Sequence, residues 1–349
     1  MDVKYKHQFT FQLKRHCLGC VFDMGAEIHH GGIRRTTLKL DISKQLMSVW
    51  MKQIAHQLHP IFTKMKDDLK HNQAKVIHAD ETTLVISKQL DEQKNRKNSY
   101  VYVYASSFYD RPIQIYDFHE SRSIDQTAAW LKDYQGYLVC DDFKGYSKLA
   151  KKHPNIKLQR CFAHARRKFM DILKALPETK RKDTASYRIV ALINQLFHFE
   201  AHYKKQKMIA SKIKQLRQKE HTPILNQLKV LIFETVPTPN SAFETALNYV
   251  KNIWGELLTY LEHPYLEISN NLADRAVKPF VINRKVFMTS GSYAGAIYTT
   301  QLFSIIRTAV INFLDVEKYF AYALENINHF PVEDLLPYSE KLPKYLRLK

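Results

Sequence analysis

Lys75-Val76-Ile77-His78-Ala79-Asp80-Glu81-Thr82-Thr83-Leu84-Val85-Ile86-Ser87 is the stretch from which the rest of the chain can be read. Val76, Ile77, Leu84, Val85 and Ile86 are apolar and all but Leu84 are β-branched, which predicts a buried strand. Asp80 and Glu81 interrupt it. A carboxylate inside a core strand is costly unless a metal, a cation or hydrogen bonds hold it. The pattern recurs in Gly136-Tyr137-Leu138-Val139-Cys140-Asp141-Asp142. Two apolar strands that each end on acid predict carboxylates converging on a divalent metal.

Between these stretches the chain reads as an α/β core. A polar turn, Asp91 to Ser99, leads to a strand at Tyr100–Ala105, and another follows at Ile113–Phe118. Short links favour an antiparallel meander. Ser123-x-x-Gln126 predicts a capped helix running to Tyr134 and stopped by Gly136. Three strands, a helix and a fourth strand is similar to the opening order of ribonuclease-H-like nucleases, in which the first and fourth strands bring acids together. This is an analogy of order.

The flanks add cations and helices. Residues 1–35 are basic and unpatterned. Cys17-x-x-Cys20 is half a zinc motif without its second pair, and two ordinary thiols are the simpler reading. Apolar residues from Ile42 to Leu69 recur at helical spacing, and Pro60 predicts a break near His59. This helix is expected on the sheet, with a DNA recognition helix as the alternative. Gly145–His153 predicts a short helix and Ile156–Leu158 a strand. Next, Arg166-Arg167-Lys168 suits phosphate contacts, although such a run alone is more often a solvated helix face. Cys161-x-x-His164 is a weak metal signal.

Residues 165–262 read as all-helical. Ala201–Lys219 holds seven Lys/Arg and no acid, which predicts a surface helix able to grip a DNA backbone. Pro237 and Pro239 end one helix, and Ser241-x-x-Glu244 caps the next. A further helix is expected to start at Ser269-Asn270-Asn271, leaving Glu267 in the loop before it and Asp274 on it, beside Arg275 and Lys278. Arg284 to Leu314 starts basic and continues as an apolar helix expected on the sheet. A last helix near Val316–Ile327 precedes a Pro-containing basic tail.

The whole chain of 349 residues carries +19 at pI ≈ 9.5. That excess calls for a polyanionic partner, nucleic acid first and an anionic membrane surface second. No run of 18 apolar residues exists, and Leu302–Leu314 carries Arg307 and Asn312. Lys4, Lys6, Lys14 and Arg15 break up any signal-peptide core. Four cysteines are too few for a disulfide framework, so a reducing, cytoplasmic and nucleoid-associated setting is expected.

Taken together, the chain resembles the insertion-sequence 66 family of bacterial DDE transposases. The matching stretches are His78-Ala79-Asp80-Glu81-Thr82, Gly136 to Tyr146, Cys161 to Phe169, Asn270-Asn271-Leu272-Ala273-Asp274-Arg275-Ala276, and Arg284-Lys285, in the family's order. The resemblance implies an α/β, ribonuclease-H-like catalytic core with a large all-helical insertion and flanking helices. The implied organisation is a basic, helical region over 1–74, expected as a truncated DNA-binding part. The first part of the core follows over 75–164, the helical insertion over 165–262, the rest of the core over 263–330 and a basic tail over 331–349.

It further implies Asp80 and Asp141 as the first two metal-binding carboxylates and Asp274 as the third, with Glu267 as a substitute. The family has Glu where this chain has Asp274, and usually Asp where it has Ser269. Asp is one methylene shorter, which costs on the order of a hundredfold in rate if its oxygen falls about an ångström short. The implied cofactor is Mg2+ or Mn2+. The implied partner is double-stranded DNA, as element ends and target, bound by a dimer with accessory proteins of the same element and no membrane. Arg166, Arg167, Lys168, Arg275, Lys278, Arg284 and Lys285 are the candidate phosphate contacts. A catalytically inactive, transposase-derived DNA-binding protein and a stand-alone nuclease are the competing readings. Glu81 and Asp142 are expected on the opposite strand face, in lesser roles. His164 is expected to orient a site group or to make a structural hydrogen bond.

Overall fold

The computed structural model describes residues 44–90, 96–287 and 289–348. Cys17, Cys20 and the basic stretch around them lie outside these residues, as do residues 91–95 of the polar turn at Asp91–Ser99. The chain builds a mixed sheet in the order β3-β2-β1-β4-β5, with a sixth short strand on β1. β1 is Val76–Leu90, β2 Arg96–Ser106 and β3 Gln114–His119. They form the expected antiparallel meander, with Asp80 opposite Val103 and Tyr104 opposite Ile115. β4, Gly136–Cys140, runs parallel to β1, and β5, Ile156–Arg160, runs parallel to β4. β6, Thr289–Ser290, pairs with the far half of β1.

The start of β4 is crowded. Tyr137 N–H donates to the Lys75 carbonyl at 2.8 Å, and a Cβ built on Gly136 would lie 2.5 Å from that same oxygen. Only glycine allows the two strands this approach.

Alternation along β1 sorts its side chains between two faces. Ile77 and Ala79 join Tyr102, Tyr104, Leu138 and Cys140 on one face. They are covered by α1 (Lys44–Gln57), α2 (His59–Lys70), α3 (Asp125–Trp130) and α4 (Lys144–Lys152). Val76 and Val139 face the other way. They meet a helical block with its own core, built chiefly from α5 (Phe162–Lys174), α7 (Ala185–Lys205), α9 (Thr222–Glu234) and α10 (Ala242–Leu258). Two short helices, α6 (Glu178–Arg181) and α8 (Ala210–Leu216), complete the block. Further along β1, Leu84 and Ile86 pack with Val101 and Val103 against Ala276 and Phe280 of α11, Asn271–Phe287. Helices α12 (Tyr293–Ile311), α13 (Val316–Asn326) and α14 (Val332–Leu335) close the chain.

Several expectations hold at their physical cause. The helix over 41–70 breaks at Leu58, with Pro60 in the first turn of α2, where its missing N–H costs nothing. Ser241 caps α10: its hydroxyl accepts from Glu244 N–H at 3.1 Å, and the Glu244 carboxylate accepts from Asn240 N–H at 2.7 Å.

Others are corrected. Ser123 and Gln126 form no capping box: α3 starts after Ile124, and the Ser123 hydroxyl turns onto Asp125 instead. The basic run at Ala201–Lys219 is not one surface helix. It is divided at Lys207, whose φ is 49°, and ends in a π-helical turn, Arg217–His221, with Arg217 buried. The basic tail is a packed segment, because Leu335, Leu336, Leu342 and Leu346 belong to the core. Finally, α12 is long and apolar enough to cross a membrane by length and composition. However, more than half of it is buried, and Ser304 and Thr308 bond the β3 backbone, so it serves as a core helix.

Candidate active site

Strand pairing brings two of the expected acids level. Val76 pairs with Tyr137 and His78 with Val139, an offset of 61 residues (137 − 76 = 61). Asp80 and Asp141 are separated by the same number (141 − 80 = 61). Asp141 therefore follows the last residue of β4 at the height of Asp80, about 5 Å away in backbone terms. This is the carboxyl end of β4 and of its parallel pairing with β1, where α/β sheets place ligand sites. The Asp141 carboxylate accepts from Phe143 N–H at 3.0 Å, which bends the chain into α4.

Asp274 arrives from another direction, in the first turn of α11. Asp274 N–H donates to the Asn270 carbonyl, and Asn270 is itself fastened to β1 through Nδ2 to the Ala79 carbonyl at 2.8 Å. Its Nδ2 thus committed, the Asn270 Oδ1 faces His78 Nδ1 at 3.2 Å and accepts from it.

The three acids feel one another. Asp80 is pushed up to about 8, first by burial and then by the charges of Asp274, Glu81 and Asp141, against a hydrogen bond from Glu81 N–H. Oxygen-rich, unneutralised and carboxylate-only, the set has the chemistry of a site for a hard divalent cation. Among the described residues, however, no three His, Cys, Asp or Glu side chains are gathered closely enough to hold a metal ion.

Glu81 points to the opposite face from Asp80 and is closed off. Arg122 donates to its Oε1 through Nε at 3.0 Å and Nη2 at 2.5 Å, and the Tyr146 hydroxyl donates to Oε2 at 3.0 Å. The Arg122 guanidinium lies 4.2 Å over the Phe143 ring. Burial raises the Glu81 carboxyl, while Arg122 and Tyr146 oppose it. Glu267 is held through one oxygen and faces a histidine with the other. Lys204 Nζ binds Oε1, and His78 Nε2 lies 3.3 Å from Oε2. With Nδ1 donating to Asn270, that second contact is a hydrogen bond only while the pair holds a proton, and burial lowers the His78 pKa.

The expected phosphate contacts divide. Arg167, Lys168, Arg275, Lys278 and Lys285 are exposed. Arg166 is bound to Asn194 at 2.7 Å, and Arg284 reaches back to the hydroxyls of Thr82 and Thr83 on β1. Cys161 and His164 do not form a metal pair; the Cys161 sulfur accepts from Asn270 N–H at 3.1 Å.

Sequence reasoning missed Arg160, which is buried and ties the Asp141 carbonyl to Ser147 and to Glu256 of α10. Its signal was a cation at the last position of a short strand, next to the apolar Cys161-Phe162. It also missed Lys144, Lys148, Lys151 and Lys152, exposed on α4 immediately after the acids. Their spacing puts them on one helix face.

Comparison with known proteins bears on the family of the chain. Curated relatives include the uncharacterized protein y4jD of Sinorhizobium fredii, 26% identical over 86% of this chain, and the uncharacterized protein y4hP of the same organism, 23% identical over 92%. The chain spans about three-fifths of their length, 60% in each case. Among solved structures, the Drosophila P element transposase strand transfer complex superposes at a TM-score of 0.41 and 11% identity. That match covers 82% of this chain and 90% of the other. At that score it carries no argument about the fold. The profile described as "Transposase IS66 family" matches residues 32–298, most of the sequence, and the chain belongs to that family.

Proposed function

We propose that the chain cuts the ends of an insertion sequence and joins them to target DNA, using a ribonuclease-H-like core interrupted by the helical block between β5 and α11. The observation that carries the proposal is the shared strand offset, which sets Asp80 and Asp141 side by side at the end of a parallel pair. Membership in a transposase family supports it.

Asp80, Asp141 and Asp274 would hold the divalent cations, Mg2+ or Mn2+, and Glu267 stays the anchor it is in this arrangement. When bound, the cations supply Lewis-acid stabilisation and a nucleophile at neutral pH. The acids must first lose the proton that burial and mutual repulsion keep on Asp80, and must draw in from their present spacing. A water oxygen then attacks phosphorus at the element end, and the bond to the 3′ oxygen breaks. That 3′-hydroxyl next attacks a target phosphodiester, forming the joined strand and releasing a target 3′-hydroxyl.

Exposed cations, from Arg167 and Lys168 to Lys278 and Lys285, would carry the DNA backbone past the acids, as +19 of net charge allows. A dimer would hold the two ends, with accessory proteins of the same element as further partners.

The open carboxylate spacing and the short Asp274 favour a second reading, a DNA-binding relative without activity. A strand-joining assay with element-end DNA and Mn2+ decides between them. Joining that Asp80→Asn abolishes supports the first reading. Salt-sensitive binding with no joining by the unaltered chain supports the second.

A further inference from the structure

The loop from Glu262 to Asn270 forms no strand or helix, yet it delivers Asp274 to the sheet. It is held almost entirely from outside itself. Arg217, buried in the helical block, grips Glu200 at 2.7 and 2.8 Å. Its remaining donors reach the carbonyls of Tyr260 (2.9 Å), His263 (3.2 Å) and Leu266 (2.8 Å). The next residue, Glu267, is buried and bound by Lys204 from the last turn of α7. Phe162 N–H then donates to the Ile268 carbonyl, and Asn270 closes onto Ala79. Asp274 lies one helical turn further.

From this geometry we infer that Lys204 and Arg217 are positioning residues. Through Glu267, two loop carbonyls and the Tyr260 carbonyl just before the loop, the helical block fixes where α11 begins, and so how near Asp274 comes to Asp80. The inference rests on the reading of Asp274 as a site carboxylate. A buried carboxylate is costly unless paired, and Lys204 pairs with Glu267 through Oε1, so Glu267 acts as the anchor of the loop rather than as a rival ligand. Lys204 stands at the rim, with 34 % of its side chain exposed. It is the part of the anchor that can be altered without emptying the core. Outer groups that hold a ligand in place typically change metal affinity by about tenfold to a hundredfold.

The test uses the full chain and Mn2+ as the probe. Lys204→Met is expected to weaken Mn2+ binding about tenfold and to speed amide exchange over residues 266–274, with α9 unchanged. Lys204→Arg restores both, and Lys204→Gln falls between, so the result does not hang on one variant. An unfolding midpoint within about 2 °C of the unaltered chain, without metal, excludes global loss of structure. Unchanged Mn2+ affinity and unchanged exchange at 266–274 in Lys204→Met overturn the inference alone. If the unaltered chain shows no Mn2+ binding that Asp80→Asn removes, the reading of the site falls, and this inference with it.

Discussion

Two carboxylates in this molecule, Glu200 buried and Asp80 half-buried, are treated in opposite ways. Glu200 in the helical block meets Arg217 in a two-point ion pair, and the guanidinium spends its remaining donors on backbone carbonyls. Asp80 in the sheet faces the charges of other carboxylates, and its hydrogen bond comes from the neighbouring backbone N–H of Glu81. Burial costs both of them, but only one is neutralised from within. The block spends its charge on holding itself and the loop together. At Asp80 the sheet supplies no partner cation, in the way of a site completed by a cation from solution.

The sharpest way to break this comparison is Asp80→Asn. The amide keeps the acceptor for Glu81 N–H but removes the charge. Strand joining is expected to fall by at least about a thousandfold, while the metal-free unfolding midpoint holds or rises, because a repelled charge is gone. A fall in the midpoint would mean that Asp80 is structurally paired after all. Arg217→Met should do the reverse. It strands Glu200 and frees three carbonyls, so stability in urea falls by about 3–5 kcal/mol. Adding Glu200→Leu should recover much of that loss, because the unpaired charge then disappears.

The sheet side of this contrast was legible in sequence, and the block side was not. Apolar runs ending on Asp80 and Asp141 announce themselves, because nothing else explains acids in β-branched strands. The break at Pro60 and the cap at Ser241 were readable for the same reason: each is a local rule with a local cause. Arg217 looked like one more cation in a basic run, because its partner lies seventeen residues back and its carbonyl acceptors lie far ahead. Arg160 and Lys204 were hidden likewise. Charge counting sees sign and spacing, whereas burial of a cation is decided by what packs around it. Ser123 misled in the other direction, a correct motif one position too early for the helix that formed.

A smaller effect follows from protonation. The Asp80 carboxyl stands at about 8, well above its ordinary value of 3.8. The folded chain therefore binds this proton more tightly than the unfolded chain. Its contribution is fully present below about pH 4 and is lost as pH rises toward 8, by at most about 1.4 kcal/mol per unit. Unfolding of the metal-free chain should show this decline, and Asp80→Asn should flatten it. Cation binding requires the proton to leave, so Mn2+ affinity should rise with pH up to about 8 and level off above it. A pH-independent affinity would place the cation away from Asp80.

The smallest expected effect asks where the positive charge around these acids comes from when DNA arrives. Lys148, Lys151 and Lys152 share an exposed face of α4, which begins just past Asp142. Lys151 and Lys152 suit the last turn through the helix dipole alone, so their presence is not by itself a sign of DNA. Lys152 lies 3.9 Å from Asp125, an exposed contact of little worth. Changing all three to Ala should leave stability nearly unaltered. If phosphates run along this helix, the slope of log affinity against log salt becomes shallower by about 2 to 3, close to one unit per lost contact. An unchanged slope would move the backbone path to Arg167 and Lys168 on α5, and the acids would then be approached from the side of the helical block.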